Sequence, residues 1–333
     1  MQDVLVEEYR GGLLDNLIRG RIAVMGESGL VARFGDVARV TFYRSASKPM
    51  QALPVLMRGL DRQYGFTEAE TTIMAGSHDG EPFHVEAILS MLDKAGFSED
   101  DLIVPPSYPG SQAARDAFIR EGKPPRKACH NCAGKHVGLL LLSRALGEPA
   151  GRYWQVDSAA QKEILRVLSV LTAVPQEQIG IGVDGCGVPV YAVPLTAIAR
   201  SELCMAAPDL VEDRDIREAI ERFTPLIHRH NRMMRGTGLL CSVINEDPNI
   251  VAKGGAKGVY GFGLKKQRLG VALKMEDGSE EYWALVLQAI LRQLGYENQE
   301  TLDKLERLSG RIVTNCLQKP VGEAKPVFQL ARV

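Results

Sequence analysis

A serine three residues ahead of a lysine, at Ser45 and Lys48, is the first place in this chain where residue types and spacing could do covalent chemistry. Tyr43-Arg44-Ser45-Ala46-Ser47-Lys48-Pro49 closes a strand-like stretch and opens a helix. Residues three apart on a helix share a face. A serine hydroxyl is a weak nucleophile at neutral pH and needs a base. A lysine can be that base when burial or nearby positive charge lowers its pKa. The helix N-terminus adds free N–H groups that favour an oxyanion. By itself the pair also matches a helix N-cap serine with a solvated lysine one turn on, and Ser47, next to Lys48, faces a different direction. Two later segments add meaning. Serine acyl-enzymes carry Ser-x-x-Lys, then a Ser-x-Asn-like element, then Lys-Thr-Gly on a strand. Here Ser77-His78-Asp79 and Lys253-Gly254-Gly255 follow in that order, as loose matches. Their plain alternatives are a helix-end turn serine and a strand-end surface lysine.

A second concentration of chemistry lies at Cys129-His130-Asn131-Cys132-Ala133-Gly134-Lys135-His136, joined by Asp184-Gly185-Cys186-Gly187 far along the chain. Gly185 and Gly187 permit positive φ and close backbone approach, so Asp184 is free to face a ligand. Three readings stand open from spacing. Cys132 and Cys186 could supply thiolates to zinc with a nitrogen ligand from the local cluster. Cys129-x-x-Cys132 could be a redox pair, although no βαβ context surrounds it. All could be small buried thiols with no ligand. A single C-x-x-C argues against a four-thiolate structural site. Cys204, Cys241 and Cys316 sit in apolar stretches and read as core.

The elements that must position these groups fall into three blocks. Residues 4–43 alternate in strand fashion, with Glu27-Ser28-Gly29 as a hairpin signal. Residues 45–234 read as mostly helical: Thr67-x-x-Glu70 is a capping box, Pro82 follows Glu81 in a first turn, Asp157 caps a helix, and 212–234 is a third long helix. The last block returns to strands at 250–253, 258–264 and 269–274, then a turn at Asp277-Gly278 and a helix over 281–294. Strands at both ends around a helical middle predict one α/β domain over 1–333. A mainly antiparallel sheet flanked by helices would come from 1–44 and 235–333, with a helical lobe from 45–234. The short connections of the last block favour antiparallel pairing there.

The chain has 333 residues, 45% hydrophobic and 24% charged, which is an ordinary globular composition. A formal net charge of −1 leaves no electrostatic footprint for nucleic acid or an anionic membrane. Asp3, Glu7, Glu8 and Arg10 interrupt any apolar signal region, and no stretch approaches the ~18 apolar residues of a membrane span. The expectation is a cytoplasmic protein with reduced thiols.

Taken together, the motifs resemble the rhizobial-type L-asparaginase family, also called asparaginase II. The matching pieces are Tyr43-Arg44-Ser45-x-x-Lys48-Pro49, Ser77-His78-x-Gly80-Glu81, Asn131-Cys132-x-Gly134-Lys135-His136, Asp184-Gly185-Cys186-Gly187-Val188-Pro189, Gly236-Thr237-Gly238 and Lys253-x-Gly255-Ala256. They occur in the family's order and span most of the chain. The resemblance implies a serine β-lactamase/glutaminase-like fold, a homodimer, and hydrolysis of L-asparagine to L-aspartate and ammonia. It implies two Ser–Lys pairs, Ser45 with Lys48 and Ser77 with Lys253, with Ser45 as nucleophile. It implies zinc at Cys132, Lys135 and Cys186, and substrate contacts from Arg44, His136 and Asp184. A zwitterionic substrate suits such contacts: its carboxylate seeks a cation such as Arg44, its ammonium a carboxylate such as Asp184. The chain departs from the family at Lys257, where an acidic residue is common. A lysine facing the pocket there would alter substrate preference or the Lys253 pKa.

Three competing functions have distinct signatures. A zinc-hydroxide amidohydrolase would lose turnover on chelation but keep much of it in Ser45→Ala. A β-lactam- or peptide-directed enzyme would form a stable adduct with a β-lactam. A non-catalytic amino-acid-binding protein would gain thermal stability from asparagine without turning it over.

Overall fold

Residues 3–333 are described by a computed structural model, and the two ends of the chain supply most of its strands. β1 (Val4–Arg10), β2 (Leu13–Gly26) and β3 (Gly29–Phe34) form a meander whose expected hairpin turns at Glu27-Ser28, with Gly26 opposite Gly29. β4 (Val40–Phe42) leads into the middle of the chain, which β5 (Gly180–Val183) and β6 (Pro189–Pro194) interrupt. β7 (Ile250–Gly254), β8 (Val259–Leu264) and β9 (Leu269–Met275) make a second meander, and β10 (Ile312–Thr314), β11 (Pro320–Pro326) and β12 (Ala331–Arg332) end the chain. The main sheet runs β10-β11-β1-β2-β9-β8-β7, with β3 and β12 branching from β2.

The strand pairs of this sheet are all antiparallel, in keeping with the expected mainly antiparallel sheet from both chain ends. The last strands are the part the expectation lacked. β11 returns beside β1 and β12 beside β3, where the sequence reading placed no strands. Their side chains are mostly exposed, so no buried alternation marks them.

β2 shows how burial follows position. Its first half is largely exposed and pairs with β1, while Ile22, Ala23 and Val24 are fully buried between β3 and β9. Ile22 and Val24 each contribute about 1.5–3 kcal/mol on burial. β8 is buried along its whole length because both faces are covered. The helix Leu195–Ala206 lies so close on one face that a Cβ at Gly270 would sit 2.0 Å from the Ala199 carbonyl oxygen. The helix Trp283–Gln293 covers the other, where Tyr260 and Trp283 meet edge to face with centroids 5.1 Å apart.

The middle of the chain is helical with one exception. β4, β6 and β5 form a small antiparallel sheet of their own, too short to stand out from the surrounding helical pattern. The Thr67/Glu70 capping box forms, and Pro82 opens the helix Pro82–Ala95. The helix Ala159–Thr172 is capped by Ser158, whose hydroxyl accepts from the Gln161 N–H. Asp157, the expected cap, instead pairs with Arg152 at 2.8 Å. The helix expected over 212–234 is Arg214–Arg229, capped by Asp213, followed by a separate 3-10 turn, Asn231–Met234. All six cysteines are free. Cys204 and Cys241 are buried, but Cys316 is exposed between β10 and β11 rather than part of the core. Among the described residues no helix is long and apolar enough to cross a membrane.

Candidate active site

Ser45 lies in a 3-10 turn, Arg44–Ser47, that runs directly into the helix Lys48–Met57. Arg44, just before it, has φ +51, a left-handed conformation costly for a side-chain-bearing residue. The turn is held from outside by the end of β7: a Cβ at Gly255 would come within 2.7 Å of the Tyr43 carbonyl oxygen. Glycine at 255 therefore lets β7 reach the serine.

Lys48 points inward and is buried. Its Nζ donates to the Gly76 carbonyl at 2.7 Å, to the Ser77 Oγ at 3.0 Å and to the Asn131 carbonyl at 3.1 Å. Burial lowers its pKa, with help from the Lys135 charge and opposition from Cys132 and Cys186. The hydroxyl that Lys48 touches is thus Ser77, from the second motif, rather than Ser45. Ser77 sits in the loop after the helix Glu68–Ile73, tied by its N–H to the Met234 carbonyl. Lys253, on β7, is also buried, and its Nζ donates to the Gly254 carbonyl. Burial pushes its pKa down to about 8, aided by Lys48 and Arg235. Ser45, Ser77 and Lys253 line one cavity of about 430 Å³, together with Asn131, Arg235 and Trp283. Lys257 is exposed at the β7–β8 turn and does not line it, so its departure from the family has no route to the pocket.

The cysteine cluster forms the adjoining wall. Cys132 immediately precedes the helix Ala133–Ala145 and Cys186 sits in the turn between β5 and β6, where Gly187 takes φ +87. The two thiols hydrogen-bond to each other, and Lys135 Nζ donates to Cys186 Sγ at 3.1 Å. The hydrogen bond from Cys186, with the Lys48 and Lys135 charges, moves the Cys132 thiol well below its ordinary pKa. His136 is fully buried. The Tyr153 hydroxyl accepts from the Ile103 N–H and shares a hydrogen bond of 2.8 Å with His136 Nδ1, while His136 Nε2 has no partner. Burial lowers the His136 pKa well below the usual range. Asp184 and Arg44 form an ion pair at 2.7 Å.

Among the described residues no three His, Cys, Asp or Glu side chains gather as a metal site. The set Cys132, Lys135 and Cys186 has only two donors of those types, but its three donor atoms converge. Two sulfurs and a nitrogen suit zinc and leave a position open. Lys135 fits only as a neutral amine. Without an ion, burial works against its charge, but Cys132, Cys186 and Asp184 outweigh this and hold it as ammonium.

A family profile described as L-asparaginase II matches residues 6–326. The chain belongs to the L-asparaginase II family. As such it is an amidohydrolase, and the family's expected arrangement, an antiparallel sheet from both termini beside a helical middle, is the one observed. A search of curated proteins finds no match. Among solved structures the chain is similar to a β-lactamase from Mycobacterium bovis (15% identity over 82% of this chain and 94% of that one, TM-score 0.40). It is also similar to a putative β-lactamase from Bacteroides dorei (13%, 82% and 93%, 0.42) and to Mglu (15%, 87% and 60%, 0.42). Superpositions this loose carry no functional information.

Sequence reasoning missed Arg235, Glu280, Trp283 and Tyr153. Arg235 directly precedes the Gly236-Thr237-Gly238 motif, which was the available signal. Nothing in the sequence marks Tyr153, which reaches His136 only through the fold.

Proposed function

We propose that this asparaginase-family enzyme hydrolyses the side-chain amide of L-asparagine, giving L-aspartate and ammonia through an acyl-enzyme on Ser45. The supporting observation is that Ser45, Ser77 and Lys253, far apart in sequence, share one cavity wall while Lys48 holds the Ser77 hydroxyl. In this reading Ser45 Oγ attacks the amide carbon. Its proton passes through the Ser77 hydroxyl to Lys48, once that side chain has given up one of the three protons it donates at rest and Ser77 has turned to donate to it. Lys48 then returns the proton to the departing ammonia. A water activated by the same base cleaves the ester and releases aspartate. Lys253, buried and lowered to about 8, relays protons or polarises the serines from the β7 side. The resemblance gives Arg44, His136 and Asp184 the substrate contacts on the cysteine side, but Arg44 and Asp184 are tied to each other in an ion pair, which leaves His136 as the contact from that wall.

Zinc held by Cys132, Lys135 and Cys186 would supply a fixed positive charge and rigidity to that wall. The chain's own residues keep the nucleophile, base and relay. The reading includes a cytoplasmic homodimer, for which Val40 and Phe42, exposed on the small sheet, offer an apolar surface.

The test is ammonia release from L-asparagine by wild type and Ser45→Ala, each with and without a zinc chelator. Loss in Ser45→Ala with partial loss on chelation is expected. An active Ser45→Ala whose turnover chelation abolishes would move the nucleophile to the metal. No ammonia from wild type would refute asparagine as substrate.

A further inference from the structure

The charged groups expected to read the two ends of asparagine are already spoken for. Arg44 and Asp184 neutralise each other at 2.7 Å, and neither lines the cavity that holds Ser45, Ser77 and Lys253. The cavity has its own charges. Arg235 lines it from the loop that follows the turn Asn231–Met234, half-buried, with Nη1 donating to the Ser77 carbonyl at 3.4 Å. That is a long contact for one of five guanidinium donors. Asp79 and Glu280 feel its charge, but among the described residues no carboxylate lies within ion-pair distance of it. Glu280 lines the same cavity at its mouth, between the β9 end and the helix Trp283–Gln293. The wall also carries the ring of Trp283, whose indole N–H is itself buried and offers nothing to the cavity.

A guanidinium with donors to spare suits a carboxylate, which Arg binds in a forked geometry. A carboxylate across the mouth suits an ammonium. Each group lies on a different element from Ser45, so together they could fix a zwitterion while its amide faces the serine.

We propose that Arg235 binds the α-carboxylate and Glu280 the α-ammonium of the amino-acid substrate, in place of Arg44 and Asp184. The proposal rests on the asparaginase reading for its reaction, but its recognition step is separable. Substituting these residues should raise KM far more than it lowers kcat, because the ends are held alike in ground and transition states. A merely structural Arg235, bracing the Ser77 loop, would lower kcat on every amide equally.

The experiment compares wild type, Arg235→Gln, Glu280→Gln and an Arg44→Gln/Asp184→Asn double variant. Three amides are used: L-asparagine, aspartic acid diamide, which lacks the carboxylate, and succinamate, which lacks the ammonium. Arg235→Gln is expected to lose about 10- to 100-fold in kcat/KM on asparagine, the scale of a charge-assisted hydrogen bond, and little on the diamide. Glu280→Gln should lose about tenfold on asparagine and little on succinamate. Equal losses on all three substrates, or the substrate-dependent pattern in the Arg44/Asp184 double variant instead, overturn the proposal. Thermal shift with L-aspartate gives a readout without turnover. Stabilisation of wild type that Arg235→Gln abolishes would uphold the recognition step even if asparagine is not hydrolysed. No stabilisation of wild type together with no turnover would sink both.

Discussion

The two walls of the site are built on opposite principles. On the cysteine side, Cys132, Cys186, Lys135, Asp184, Arg44, Tyr153 and His136 are linked in bonded pairs, with only Arg44 Nε and His136 Nε2 among these side chains buried without a partner. On the cavity side, Lys48 holds Ser77, but Ser45 and Arg235 keep donors or acceptors unused. A closed network resists change in shape, since breaking any link strands a buried group. An open wall is where a substrate can replace water. The difference assigns shape to one side and chemistry to the other, with Lys48 between them.

The largest effect should come from the open wall. Ser45→Ala and Ser77→Ala are each expected to lower kcat by about 10⁴-fold or more, as removing one member of a unit of catalytic groups does. Ammonia release checks this, and a Ser77→Ala enzyme within tenfold of wild type would remove it from the proton path. Gly255→Ala touches no substrate but pushes on the Tyr43 carbonyl, 2.7 Å from the new Cβ. Displacing the serine turn by a fraction of an ångström should cost about 10²-fold in kcat with little change in melting temperature. Normal activity would show that the turn can give way.

The closed wall should respond less. Chelation, or Cys186→Ser, is expected to lower kcat/KM about tenfold, less than any serine variant, measured on the same batch. An equal or greater loss would reverse the assignment of roles.

The pH dependence tests Lys253. Because its folded pKa is depressed to about 8, kcat/KM should climb as pH rises towards 8 and flatten above it, with the amine neutral and able to take a proton. Linkage has the same sign. Between about 8 and the unfolded value near 10.4, the unfolded chain binds more protons, so this group adds stability as pH rises. A Lys253→Met variant should lose that part of the slope in urea titrations at pH 8 and 10. The smallest effect belongs to Lys257→Glu. Exposed and off the cavity, it should shift stability by less than about 0.5 kcal/mol and leave substrate preference unchanged.

Much of this was legible in the residues. The Glu27-Ser28 hairpin, the Thr67 capping box and the β7–β8–β9 meander follow from local patterns, and each formed. The terminal strands β10–β12 did not show because exposed side chains carry no alternation. Asp157 misled because Ser158, one residue on, caps equally well and Arg152 was within reach of the carboxylate.

Sequence alone determined which groups were available: two serines, two lysines and a thiol cluster, in an order that points to an amidohydrolase. Only the tertiary structure decided who meets whom. Lys48 reaches Ser77 rather than Ser45, Arg44 is consumed by Asp184, and Arg235 is left facing the cavity. The reason is physical. Hydrogen bonds and ion pairs act over a few ångströms, here between residues as far as 274 positions apart. Periodicity and motif order carry no information at that range until the chain has packed.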